Sequence, residues 1–208
     1  MSFDDAVEGA IPAMIYMFSG AGDSEQSAEV SNVKTFTLPD PAGKAGGACT
    51  SALLQTLYHD EGDDDIRYTW SETLELMREK IEDIGLTQQP QLSSSRPIDV
   101  NEEIHIVPPD CRGTKRAMLI GINYVGEKNA LTGCQTDARN IKEFLMNVHG
   151  FERENMLILM DDGKHHPPNR EIIMDGFRRL TEISEPGDVI FIQFSGMYGR
   201  TEVQATYV

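Results

Sequence analysis

The chain has 208 residues, of which 39% are hydrophobic, enough for one or two small domains with a packed core. Asp and Glu number 34 against 18 Lys and Arg, and the net charge of −16 argues against nucleic acid or an anionic membrane as the main partner while suiting solubility, basic peptides or divalent cations. No window of about 18 apolar residues occurs, Met1-Ser2-Phe3-Asp4-Asp5 lacks the basic start of a signal peptide, and Cys49, Cys111 and Cys134 form no CxxC pair, so a reducing, cytosolic compartment is expected.

Ala13–Phe18 is a short apolar run ending at Ser19-Gly20, which predicts a buried strand. Gly22–Gly47 is polar and rich in Gly, Pro and Ser, which predicts a long loop. Ala48–Tyr58 predicts a helix with Cys49, Leu53, Leu54 and Leu57 on one face. His59–Asp65 predicts an acidic turn. Thr69–Ile84 predicts a second helix, with Thr69 or Ser71 as its cap and Leu74, Met77, Ile81 and Ile84 at helical spacing. Gln88–Pro97 is expected to be a polar loop, and Glu103–Val107 a strand stopped by Pro108-Pro109.

Pro108–Thr114 has the composition of a linker. Beyond it the pattern changes to alternating strand and helix. Ala117–Ile122 is uniformly apolar, as in a parallel sheet. Asp137–Val148 is amphipathic, with Ile141, Phe144, Leu145 and Val148 sharing a face and Gly150 as its stop. Met156–Met160 predicts the next strand. Asn169–Ser184 predicts a helix capped by Asn169, with Ile172, Ile173, Phe177, Leu180 and Ile183 inward, and Val189–Phe194 the last strand. This order implies an α/β fold with right-handed crossovers.

The second unit resembles the large, p20-like subunit of a metacaspase. The matching residues are Lys115–Tyr124, Leu131-Thr132-Gly133-Cys134-Gln135-Thr136-Asp137-Ala138, Asn140–Leu145, Asp161-Asp162, Pro186-Gly187-Asp188 and Phe194-Ser195-Gly196. The first unit resembles the small, p10-like subunit through Phe18-Ser19-Gly20, Glu25–Ala28, Gly46-Gly47-Ala48, Pro90–Ser95 and Ile98–Asn101. The resemblance thus implies residues 1–107 as a small-subunit unit, 108–114 as linker and 115–208 as a truncated large-subunit unit, in the rearranged type III order. The implied fold is a caspase–hemoglobinase-like three-layer sandwich with a mostly parallel sheet, missing the strand that bears the nucleophile.

The same resemblance implies a cysteine endopeptidase that cleaves after Arg or Lys through a Cys–His dyad, with calcium as the family's cofactor. In the family the histidine lies in a Ser-Gly-His-Gly turn; here Met197 and Tyr198 follow Ser195-Gly196. A thioether neither takes nor gives a proton. The Asp-Ser-Cys segment and the calcium-binding aspartates are absent from the sequence, so the chain is expected to have no catalytic dyad, no cofactor and no turnover by itself.

Substitute dyads are weak. Cys49 and His59 stand ten residues apart on or beside one helix, about three turns, and Cys111 and His105 are separated by a strand and two prolines. Cys134, Asp137 and Ser195 are, by resemblance, the floor and wall of a pocket for a basic side chain, where a carboxylate selects Arg or Lys. The alternative is that Cys134 is a small buried hydrophobe and Asp137 a helix-start residue at the positive dipole end. Asp23, Glu25 and Glu29 carry the family pattern poorly, because Glu29 stands where relatives tend to have Asp. Asp161-Asp162 with His165-His166, and Glu61–Asp65, are expected to be solvated turns with no metal. Without the nucleophile strand, Val189–Phe194 and Ala13–Phe18 would each present an open edge. That predicts either a poorly stable monomer or pairing with a partner strand, and the tail Glu202–Val208 is a candidate to fill the gap. Expected partners are a peptide or protein with a basic residue, or another metacaspase chain; the rival reading is a pseudoprotease or regulatory module.

Overall fold

The computed structural model describes residues 13–22, 27–30, 45–58 and 67–197. A three-stranded parallel sheet organises the second half. Its strands are β5 (Lys115–Gly121), β6 (Met156–Met160) and β7 (Val189–Ser195), in the order β6-β5-β7. The register pairs Ala117 with Met156 on one side and Lys115 with Val189 on the other. β5 sits between two neighbours and its residues 117–121 are buried, which is why it reads as an unbroken apolar run.

Helix α3 (Cys134–Asn147) covers one face. Its Ala138, Ile141, Phe144 and Leu145 pack with Ala117, Leu119, Ile158 and Met160. Helix α4 (Arg170–Ile183) covers the other, where Leu180, Ile172 and Ile173 meet Met118, Ile120 and Leu159. Helix, sheet and helix are the three layers expected of a caspase-like α/β fold. Asn169 caps α4 by accepting the Ile172 N–H at 2.9 Å.

The first half packs α1 (Ala48–Leu57) on α2 (Trp70–Asp83), with Ala48, Ala52, Leu53, Met77 and Ile81 between them. Thr69 begins α2 with a full capping box: its hydroxyl accepts the Glu72 N–H, and Glu72 accepts the Thr69 N–H at 2.8 Å. Leu54 of α1 reaches across into the core beneath α3, so the two halves share buried surface.

Several expected elements differ. The first strand, β1 (Tyr16–Ser19), is half exposed, because its only described sheet partner is β4 (Gln91–Ser94), with Tyr16 opposite Ser94. Trp70 shields one face of it by stacking on Tyr16 at 4.4 Å. β4 lies within the expected Gln88–Pro97 loop. Within the expected Gly22–Gly47 loop, β2 (Glu29–Val30) pairs antiparallel with β3 (Gly46–Gly47). Glu103–Val107 is not a strand; only a bridge between Thr69 and Glu103 forms there. α3 begins at Cys134, one turn earlier than expected. Phe177, Ile183 and Val148 face outward, since neither helix is wide enough to be buried all round. The acidic stretch 59–65 and the tail 202–208 lie outside the described residues.

Candidate functional site

In an open parallel sheet, ligands collect at the carboxyl ends of the strands. β5 and β7 end side by side here, Gly121 opposite Ser195. The amino end of α3 comes down on the same point. A side chain at Gly121 would meet the Cys134 carbonyl oxygen at 2.5 Å, so glycine permits that approach. The result brings Cys134, Asp137 and Ser195 close together at the strand ends.

Asp137 is the centre of this cluster and is only 1% exposed. Ser195 donates its hydroxyl to Asp137 Oδ2 at 2.7 Å, and the Gln193 side-chain amide donates to Ser195 Oγ at 2.7 Å. The Gly47 N–H lies 2.8 and 3.0 Å from the two carboxylate oxygens. Burial, opposed by these hydrogen bonds and reinforced by the charge of Glu29, pushes the Asp137 carboxyl up to about 7.

Glu29 is a second acid at the site. It accepts the Thr132 N–H at 2.7 Å and the Thr132 hydroxyl at 3.2 Å, and the Gly133 N–H as well. Glu29 reaches this turn from β2, a contact across 103 residues that the sequence did not display. Among the described residues neither Asp137 nor Glu29 has an ion-pair partner. Two clustered carboxylates without a cation favour a basic ligand.

The thiols are poor nucleophiles. Burial first, then the charges of Asp137, Glu29 and Asp161, raise Cys134 to about 12. Burial, then Asp137, raises Cys49 to about 12. Both are protonated near neutral pH. Cys49 sits in the first turn of α1, and His59 lies outside the described residues. Cys111 faces the Gly113 and Gly187 carbonyl oxygens while His105 sits near Glu103, so that pair does not form. Met197, two residues past Ser195, has its backbone N–H on the Tyr124 hydroxyl at 3.1 Å and its side chain exposed.

Asp161 and Asp162 are not the solvated turn expected. Asp161 accepts the N–H groups of Asn123 and Val125 at 2.9 and 3.0 Å and the Gln135 side-chain amide at 2.9 Å. Burial would raise the Asp162 carboxyl, but the backbone N–H groups of Lys164 and His165, then the His165 ring, outweigh it and lower the carboxyl to about 2, while Arg139 lies 3.1 Å from its other oxygen. Their proximity to turning backbone N–H groups is what the sequence could not display. Among the described residues no three or more His, Cys, Asp and Glu side chains converge on one point, so those residues do not fit the calcium that the resemblance implies. Asp23 and Glu25 lie outside the described residues. Among the described residues no helix is long and apolar enough to cross a membrane.

The metacaspase, peptidase C14 domain matches residues 115–206. A protein of Phaeodactylum tricornutum called metacaspase III c is 48% identical over 195 residues, which cover 93% of this chain and 58% of the diatom protein. Metacaspase-1B of Aspergillus niger is 44% identical over 94 residues, covering 44% of this chain and 22% of the fungal one. Metacaspase-1B of Aspergillus fumigatus is 43% identical over 93 residues, covering 44% and 23% respectively. The chain therefore spans little more than half the length of the diatom relative and under a quarter of the fungal ones.

Proposed function

The chain belongs to the metacaspase family, and from that premise we propose that it carries the frame of a cysteine endopeptidase that cleaves after Arg or Lys. Its own residues supply the floor of the pocket for the basic side chain. The observation that carries this reading is the buried Ser195–Asp137 hydrogen bond at 2.7 Å, which holds a carboxylate at the strand ends without a described cation partner. A guanidinium there would exchange the Gly47 N–H and Ser195 O–H for charge-assisted bonds to the same oxygens.

The 208 residues by themselves bind and do not cleave. Where the family has its histidine, Met197 offers no base. Cys49 and Cys134 hold their protons too tightly to attack a carbonyl at neutral pH. All three cysteines are free, which accords with a reducing, cytosolic setting.

Calorimetric titration with a short Arg-ended peptide and a Glu-ended control tests the pocket. Arg-ended peptide should bind weakly, keep its affinity on Ser195→Ala, which removes only a donor the guanidinium displaces, and lose it on Asp137→Asn. Equal binding of both peptides would refute a basic pocket. A second reading, a non-enzymatic module that regulates an active metacaspase chain, is favoured by the protonated state of both pocket-side thiols. Its signature is a stoichiometric change in the rate of an active metacaspase on adding this protein.

A further inference from the structure

β7 reads Val-Ile-Phe-Ile-Gln-Phe-Ser, and Gln193 is its only amide side chain. It is 8% exposed. Alternate side chains of a strand share a face, so Gln193 points the same way as Ser195, towards α3. Burying an amide costs free energy unless its groups are bonded. Only half of this one is. Its Nε2–H donates to Ser195 Oγ at 2.7 Å, while Oε1 is enclosed and no group among the described residues donates to it. Buried polar atoms without a partner are rare in folded proteins, and one beside a binding pocket asks for a reason.

The reason lies in the Ser195 hydroxyl. It has one proton to give, and that proton goes to Asp137 Oδ2 at 2.7 Å. A guanidinium on Asp137 takes the same oxygen. The Ser195 proton must then find another acceptor or stay unpaired beside a buried carboxylate, which would weaken binding about tenfold. Gln193 holds an unused acceptor within reach. Half a turn of its terminal amide exchanges Nε2 and Oε1 and sets Oε1 in the place that Nε2 now fills, 2.7 Å from Ser195 Oγ. The serine proton then swings from Asp137 to Gln193. One amide group is unpaired before the turn, Oε1, and one after it, Nε2, so the exchange itself costs little.

We propose that Gln193 is a positioning residue for the basic-side-chain pocket. Its amide donates to Ser195 while the pocket is empty. Turned over, it accepts the Ser195 hydroxyl that the guanidinium or ammonium group of a bound Arg or Lys displaces from Asp137. The inference rests on the pocket reading and adds to it a residue that acts through Ser195. It also explains why Ser195→Ala should keep its affinity: without the hydroxyl there is no proton to rehouse. Leucine at position 193 is different. It leaves the Ser195–Asp137 bond of the empty pocket in place and removes the acceptor that only the occupied pocket uses.

Calorimetric titration of the 208-residue protein with the short Arg-ended peptide tests this as a double-mutant cycle. Gln193→Leu should bind about tenfold more weakly than wild type. Adding Ser195→Ala to Gln193→Leu should restore the affinity of Ser195→Ala alone, a recovery that a residue serving only to fill the core would not give. Circular dichroism checks folding, and Gln193→Met, unbranched and of similar length, repeats the cycle should the leucine variant fail to fold. On the wild type, the Gln193 side-chain amide signals in nitrogen-edited NMR should shift as peptide saturates the site. Wild-type affinity in the Gln193 variants, a double variant as weak as Gln193→Leu, or amide signals that stay in place would each overturn the proposal. Asp137→Asn separates the two readings. If it abolishes binding while the Gln193 variants bind as wild type does, the pocket stands and this inference falls. If wild type does not bind, or Asp137→Asn binds equally well, both fall.

Discussion

Asp137 in the first turn of α3 is joined to the Gly47 backbone N–H by both of its carboxylate oxygens, at 2.8 and 3.0 Å, across 90 residues of sequence. Gly47 ends β3 and precedes α1, so this contact fastens the first half of the chain to the amino end of α3 in the second. Glu29 makes a parallel contact from β2 to Thr132 and Gly133. The carboxylates at the strand ends thus also fasten the two halves together.

The pH dependence of stability should reflect this. Asp137 is raised from 3.8 to about 7 in the folded chain, so it contributes stability that is fully present below pH 4 and lost as pH rises towards about 7. His149 acts oppositely: burial, then Lys115, lowers it from 6.5 to about 4, so its contribution is lost as pH falls below 6.5. The two partly cancel in the wild type. Subtracting Asp137→Asn from wild type in urea titrations between pH 4 and 8 isolates the first, with a slope approaching about 1.4 kcal/mol per pH unit. A difference flat with pH would contradict a titrating Asp137.

Three glycines should respond differently to alanine. At Gly133 a Cβ would lie 2.6 Å from the Gly46 Cα and N, and backbone cannot give way cheaply. At Gly47 it would lie 2.6 Å from Asp137 Oδ2. At Gly176 the nearest atoms, at 2.8 Å, are the movable ends of Leu157 and Met118, and alanine improves a helix interior by about 0.5–1 kcal/mol. Gly133→Ala should therefore cost most, Gly47→Ala roughly 1–3 kcal/mol, and Gly176→Ala little. Chemical denaturation gives the ranking, and the reverse order would show that the halves are not in this close contact.

Thr69→Ala removes the hydroxyl of the α2 capping box. The loss should be about 1 kcal/mol, read as a lower denaturation midpoint with unchanged slope. Thr69→Ser should restore it.

Cys134 and Cys49 should resist alkylation. Raising a thiol from 9.0 to about 12 cuts its thiolate at pH 7.5 by roughly a thousandfold. Iodoacetamide labelling followed by peptide mass mapping should find both slow in the folded protein and fast in urea. Equal rates in the two conditions would contradict their protonated, enclosed state.

The elements were legible where one physical cause dominated. β5 and β6 are apolar because helices cover both faces, and the Thr69 and Asn169 caps are local chemistry. What escaped depended on distant partners. Gln91–Ser94 is a strand because Tyr16–Ser19 lies beside it, and Gln88, read as part of a polar loop, is buried with its side-chain amide on the Gly20 carbonyl oxygen at 2.8 Å. Phe177 and Ile183 followed the helical period yet stayed outside, because the sheet beneath α4 is too narrow. Cys134, Asp137 and Ser195 stood out through motifs as candidates, and only the fold brings Glu29 and Gly47 near them. Asp161 showed as an acidic pair, while the N–H groups that hold it come from the loop after β5.

Hydrolysis of an Arg-ended fluorogenic peptide by the purified 208-residue protein, with and without calcium, tests the central claim most directly. The account predicts binding without turnover under both conditions. Turnover that survives serine-protease inhibitors and disappears on thiol alkylation would contradict it.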